Sequence, residues 1–170
     1  MFRKMLLSLI ILGVSMSLFS AEDKLANIKQ KVRSEFPAIA QMSTKQLQGL
    51  LGEMLSNNTL LLDVRAEEEF NVSHLKHAKL ATTLEVALLV LRDAPKDKRI
   101  VVYCSVGYRS SELAQKLTEQ GYRNVYNLEG SIFEWANQGL PVFNQGKQVY
   151  KVHPYNWWWG RLLNKKYHPD

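Results

Sequence analysis

Two short apolar runs most constrain what this chain can become. TLLLDV, Thr59 to Val64, and RIVVY, Arg99 to Tyr103, are almost continuously hydrophobic over the length of a strand. A strand with one face in water alternates apolar and polar residues. A run without alternation is covered on both faces, the situation of strands in a parallel sheet. The segments around these runs carry helical spacing. Leu25, Ile28, Val32 and Phe36 mark one face of a charged helix over residues 22–36 that Pro37 stops. Ser43 and Gln46 form a capping box ahead of Leu47, Leu50, Leu51, Met54 and Leu55, and Asn57-Asn58 closes that helix. Arg65 to Glu69 reads as a helical turn, Ala78 to Leu80 as a short strand, and Thr83 to Arg92 as a leucine-rich helix ended by Ala94-Pro95. Ser110 to Gln120 is predicted helical with Gly121 after its end, followed by a strand at Asn124 to Leu128 and a helix at Ser131 to Asn137. Strands alternating with helices predict an α/β domain whose central sheet is mainly parallel and flanked by helices.

The bulk properties agree with one globular domain in 170 residues, 46% of them hydrophobic and 22% charged. The formal net charge is +6, or +4 without Arg3 and Lys4, and no basic stripe interleaved with aromatics marks a nucleic-acid surface. Arg3 and Lys4 precede an apolar run from Met5 to Phe19, then the small residues Ser20 and Ala21 and the acidic pair Glu22-Asp23. This is the layout of a secretory signal peptide over residues 1–21, with an uncleaved anchor as the alternative, and it predicts export to a periplasm. The predicted organisation is then a helical extension over residues 22–41, a domain over 42–143, and a basic, tryptophan-rich tail over 144–170.

The chain has one cysteine, so no internal disulfide forms, and in an oxidising compartment a retained thiol is either buried or used. Cys104 follows RIVVY at once, in the stretch CSVGYRS that leads into the next helix. Sites in parallel sheets collect where strands end and helix N-termini point unpaired amides. A short loop containing Gly107 can aim several N–H groups at one point, which cradles an anion and favours a thiolate; Arg109 is the neighbouring cation. A small core residue is the competing reading for a lone cysteine after an apolar strand. The polar, glycine-bearing loop favours chemistry.

CSVGYRS resembles the Cys-x-x-Gly-x-Arg-Ser active-site loop of the rhodanese-like sulfurtransferases. Three more segments are similar to that family's motifs in the same order: LLDVRAEEEF (Leu61 to Phe70), SHLKHAKL (Ser73 to Leu80) and LEGSIFEWANQGLPV (Leu128 to Val142). The chain departs at Ser73, His77 and Ser131, where the family often has glycine. The resemblance implies a rhodanese-like fold and a two-step reaction without a cofactor. Cys104 thiolate would take the outer sulfur of thiosulfate or a similar small sulfur-containing anion, hold it as a persulfide, and pass it to cyanide or a thiol. Ser105, Val106, Gly107, Tyr108 and Arg109 would bind donor and persulfide through backbone amides, with the Arg109 side chain on the dianion. Asp63 and Arg65, together with Trp135, would be scaffold. The alternative of another class is a sulfur carrier or redox-sensing module that serves a dedicated partner with little turnover. Cysteine-dependent phosphatases are a third reading, but their Cys-x5-Arg loop is one residue longer than the spacing from Cys104 to Arg109.

His74 and His77 lie three apart with no third ligand in the pattern, so no metal site is expected. The resemblance covers neither the first helix nor the tail. Trp157, Trp158 and Trp159 cannot all face one core; with Arg161, Lys165 and Lys166 they suit a membrane surface or a protein partner, or the tail folds back over the domain.

Overall fold

The computed structural model describes residues 21–52 and 58–170. The expected export leader, but for its last residue Ala21, and Met54, Leu55 and Asn57 at the expected end of the helix after Ser43 lie outside them. Five strands form one parallel sheet: β1 (Ala40–Met42), β2 (Thr59–Asp63), β3 (Lys79–Leu80), β4 (Arg99–Tyr103) and β5 (Val125–Leu128), in the order β1-β5-β4-β2-β3. The helices are α1 (Ala21–Glu35), α2 (Thr44–Gly52), α3 (Glu67–Val72), α4 (Leu84–Val90), α5 (Tyr108–Glu119), α6 (Ser131–Asn137) and the short α7 (Trp157–Gly160). Strands β6 (Val142–Asn144) and β7 (Lys147–Val149) make a separate antiparallel hairpin.

The two runs without alternation occupy neighbouring strands, paired from Thr59 with Arg99 to Asp63 with Tyr103. Successive residues feed two separate cores. Leu61, Val101 and Tyr103 join Leu25 of α1, Leu47 of α2 and Ile132, Phe133 and Trp135 of α6. Leu62, Ile100, Val102 and Cys104 join Ala87 of α4 and Leu113, Ala114 and Leu117 of α5. Covering both faces requires apolar residues at every position, and the sequence supplies them. Val152, Leu162 and Leu163 of the tail are buried in the first core, so the tail folds back onto the domain.

Several boundaries differ from the sequence reading for local reasons. The expected capping box forms: the Ser43 N–H donates to Gln46 Oε1 at 2.9 Å and the Gln46 N–H to Ser43 Oγ at 3.2 Å. Helix α5 begins at Tyr108, two residues early, because Gly107 turns the chain at φ 118°. That φ belongs to the region glycine occupies without penalty. Helix α3 begins at Glu67, since Arg65 is drawn into the core and Ala66 stays extended. Strands β1, β6 and β7 were not expected; at three residues each they carry no periodicity to detect.

The carboxyl end of β2 is held by a fully buried ion pair. Arg65 donates Nε to Asp63 Oδ1 at 2.9 Å, Nη2 to Asp63 Oδ2 at 2.7 Å and Nη2 to the Ser73 carbonyl at 2.6 Å. Burial opposes the guanidinium charge, yet the attraction and hydrogen bonds of Asp63 outweigh it and raise the Arg65 pKa above its ordinary value. The scaffold role expected for both residues fits this placement. Removing one partner from a buried pair leaves an uncompensated charge. Asp63→Ala should therefore lower unfolding free energy by about 3–5 kcal/mol in urea denaturation.

Candidate active site

Cys104 begins the segment between β4 and α5 and is 1% exposed. Its backbone is pinned from below by α6: the Cys104 N–H donates to Ser131 Oγ at 3.1 Å, and the Cys104 and Ser105 carbonyls accept from the Ile132 and Phe133 amides. The thiol sulfur sits at the N-terminus of α5, where first-turn amides lack intrahelical partners. Gly107 N–H donates to Sγ at 3.1 Å and Ser110 Oγ lies 3.4 Å from it. Ser110 in turn donates to Asn127 Oδ1 on β5 at 2.6 Å. A Cβ on Gly107 would stand 3.2 Å from Asn127 Nδ2 in addition to the unfavourable φ, so only glycine serves this turn.

The expected loop residues are brought together, in distinct positions. Cys104, Ser105, Val106, Tyr108 and Arg109 line a pocket of about 190 Å³, and Gly107 contributes its amide from behind the sulfur. Ser105 Oγ is turned inward, donating to Glu69 Oε1 at 3.0 Å and accepting from Arg109 Nη2 at 3.0 Å. Arg109 is not a free cation. Its Nη1 and Nη2 reach Glu69 Oε2 and Oε1 at 3.0 and 3.1 Å, a bidentate pair, and its guanidinium lies 4.6 Å from the centre of the Tyr155 ring. Burial works against the charge of Arg109; the hydrogen bonds and charge of Glu69 outweigh it and raise its pKa. Burial likewise works against the Glu69 carboxylate, but hydrogen bonds from Arg109 and the Ala66 amide and the charges of Arg109 and Arg65 hold it below 4.5.

Sequence reasoning did not assign Glu69, Ser110, Asn127, Ser131, Tyr155 or Trp159 to the site. Glu69 and Ser110 stand inside the quoted motifs, so a signal existed. Tyr155 and Trp159 complete the pocket from the tail, where no pattern pointed to the cysteine. The departures from glycine are informative. His77 and Ser131 have positive φ, at 64° and 52°, the backbone that favours glycine, whereas Ser73 is extended at φ −169°. Ser131 is more than a turn residue because its hydroxyl holds the Cys104 amide. His74 stacks on Phe70 at 4.1 Å, and its Nδ1 lies 2.9 Å from the Leu75 carbonyl, a scaffold placement. Trp135 is buried and donates Nε1 to the Pro141 carbonyl at 2.9 Å.

A family model described as Rhodanese-like domain matches residues 46–138, more than half of the chain. The chain belongs to the rhodanese-like domain family. A sulfurtransferase of Allochromatium vinosum is 34% identical over 87 residues, covering 51% of this chain and 80% of that protein. A tRNA uridine(34) hydroxylase of Photorhabdus laumondii is 36% identical over 108 residues, 57% of this chain, but this rhodanese-like chain spans only 30% of the hydroxylase's length. Among solved structures, the polysulfide-sulfur transferase homodimer of Wolinella succinogenes is 26% identical with a TM-score of 0.55, over 74% of this chain and 93% of that one.

The Glu69 carboxylate organises both Ser105 and Arg109, and its loss should be felt in stability. A carboxyl whose folded pKa is depressed contributes stability that is present above its unfolded value and lost as pH falls through the folded one. Glu69→Gln should destabilise the rhodanese-like domain by about 1–3 kcal/mol at neutral pH. That difference should shrink below pH 4.5. Urea denaturation of both proteins across that range checks it.

Proposed function

We propose that this protein is a sulfurtransferase working through a persulfide on Cys104, with Ser105 to Arg109 as the binding loop. One observation carries the reading: a buried thiol sulfur at the start of a twelve-residue helix accepts a hydrogen bond from the Gly107 amide at the floor of a small pocket. A backbone donor at a helix N-terminus stabilises an anionic sulfur, whether thiolate or persulfide.

In the first step the thiolate attacks the outer sulfur of thiosulfate or a similar sulfane donor. A bond forms from Sγ to that sulfur, the donor's S–S bond breaks, and sulfite departs with the electron pair. In the second step cyanide or a thiolate attacks the terminal sulfur, and Cys104 leaves as thiolate. Splitting the transfer in two is covalent catalysis. Arg109 and the loop amides attract the donor anion, and Glu69 orients the guanidinium. The reading follows the sulfurtransferase relative, four-fifths of which is matched. The hydroxylase relative is matched over less than a third, so hydroxylation is not proposed. The four-residue gap between Cys104 and Arg109 argues for a sulfur-sized loop over a phosphate-sized one.

Intact mass after incubation with thiosulfate should show one added sulfur on wild type and none on Cys104→Ser. A free thiol that gains no sulfur would falsify the mechanism. Steady thiocyanate production with cyanide then distinguishes the enzyme from the alternative of a carrier or redox sensor, which loads without turning over. Export is part of the proposal: protein recovered from a periplasmic extract should have the mass of a chain beginning at Ala21 or Glu22, and full-length mass in the membrane fraction would instead mark an anchor.

We also propose that the tail touches an anionic membrane surface. Trp157 and Trp158 are 71% and 70% exposed, and Lys24, Arg161 and Lys165 share a groove with Trp157. Amphipathic rings beside cations suit a lipid headgroup layer. The chain with Trp157 and Trp158 both changed to Ala should lose sedimentation with phosphatidylglycerol vesicles, and wild type should bind phosphatidylcholine vesicles far less. Equal binding by variant and wild type overturns this contact.

A further inference from the structure

The family match ends at residue 138, yet the pocket over Cys104 is closed by residues beyond it. Tyr155 and Trp159 supply its outer wall. They are locked to the cysteine loop by specific contacts: Tyr155 lies against the Arg109 guanidinium at 4.6 Å, and Trp159 meets Tyr108 edge-on at 6.3 Å. Tyr108 is also held by Phe36 at 6.5 Å and by a hydrogen bond it donates to Glu35 at 3.2 Å, so the end of α1 braces the same ring. The segment bearing the wall is itself anchored. Asn156 Oδ1 caps α7 through the Trp158 and Trp159 amides at 3.0 Å each, and His168 Nε2 lies 3.0 and 3.1 Å from the Gly160 and Leu163 carbonyls. Asn137 of α6 accepts from the Asn164 amide and donates to the Leu162 carbonyl, both at 2.8 Å.

The space left is about 190 Å³, below the roughly 300 Å³ at which pockets for drug-sized ligands begin. Arg109 is the cation among its lining residues, already paired with Glu69, and three aromatic rings face the thiol's approach. A persulfide buried under such a wall is reachable by a molecule of a few heavy atoms and not by a bulky thiol or a protein surface.

We infer that Tyr155 and Trp159 are specificity-determining residues: the tail restricts sulfur exchange at Cys104 to small donors and acceptors. Trp157 and Trp158 point away and are left for other contacts. The inference rests on the persulfide reading for its meaning, but the wall itself can be tested without it.

The first readout is the alkylation of Cys104 by iodoacetamide and by N-pyrenylmaleimide, on protein shown folded by circular dichroism. Wild type should react with the small reagent in strong preference. In Trp159→Ala and Tyr155→Ala the bulky reagent should gain about tenfold relative to the small one, the discrimination a few missing pocket atoms produce. Trp159→Phe keeps an aromatic wall and should retain most of the preference, whereas Trp159→Val opens the wall and stands in for the alanine variant if that does not fold. Trp157→Ala removes an equally large ring outside the wall and should leave the alkylation ratio unchanged; a similar shift there would overturn the assignment to Trp159. The second readout is the ratio of kcat/KM for glutathione against cyanide with thiosulfate as donor, which should rise in the wall variants. An unchanged alkylation ratio in the folded variants that open the wall, Tyr155→Ala and Trp159→Ala or its substitute, overturns the inference. A shifted alkylation ratio without persulfide in any variant supports the wall and removes the sulfur-transfer reading instead.

Discussion

The buried pair of Asp63 and Arg65 is the constraint on which the site end of the molecule depends. Two full charges with no access to water are tolerable only when they satisfy each other. Their bonds fix the point where β2 leaves the sheet. The Asp63 carbonyl accepts from the Ala81 amide at 2.7 Å, the Tyr103 carbonyl accepts from Val64 at 3.0 Å, and Arg65 reaches the Ser73 carbonyl. Tyr103 lies on the same pair, with its ring 5.8 Å from the guanidinium and its hydroxyl accepting from the Leu75 amide at 3.0 Å. Burial and the nearby Asp63 charge push the Tyr103 pKa well up, so its hydroxyl stays protonated. The residue after Tyr103 is Cys104. The ion pair thus sets the level at which β4 ends and the thiol begins.

A second, softer network grows from the first. Helix α3 follows Arg65 directly and carries Glu69 to the edge of the loop, where one carboxylate serves Ser105, Arg109 and the Ala66 amide. An arginine beside a buried sulfur attracts anions to it. Sharing it with Glu69 and the Tyr155 face tempers the charge and fixes the fork in one orientation. The pocket is therefore less positive than a lone Arg109 suggests, and its selectivity shifts from charge toward size.

Both segments outside the family match converge on this loop. Val32 of α1 lies beside Gly107, and Lys29 and Arg33 tie that helix to Glu134 and Glu129 around α6. The tail meets Tyr108 through Trp159, and the first helix through Glu35 and the Phe36 that follows it. What the sequence presents as two appendages is a collar around the Cys104 loop. Legibility followed range. RIVVY, the capping box at Ser43 and the helix after Cys104 were readable because hydrophobic periodicity and capping are local. The strand at Ala40–Met42 was not, because three residues acquire strand geometry only by pairing with β5.

By itself the sequence determined the parallel sheet, through apolar runs that need cover on both faces, and the position of a lone thiol at a strand end before a glycine turn. It also carried the family motifs, since backbone turns and buried ion pairs demand particular residues at fixed spacing. Tertiary structure alone decided what surrounds that thiol. Glu69 meets Arg109 across forty positions, and Tyr155 and Trp159 arrive from about fifty positions away. Such contacts depend on how helices and tail pack against the finished sheet, and no periodicity along the chain encodes that packing.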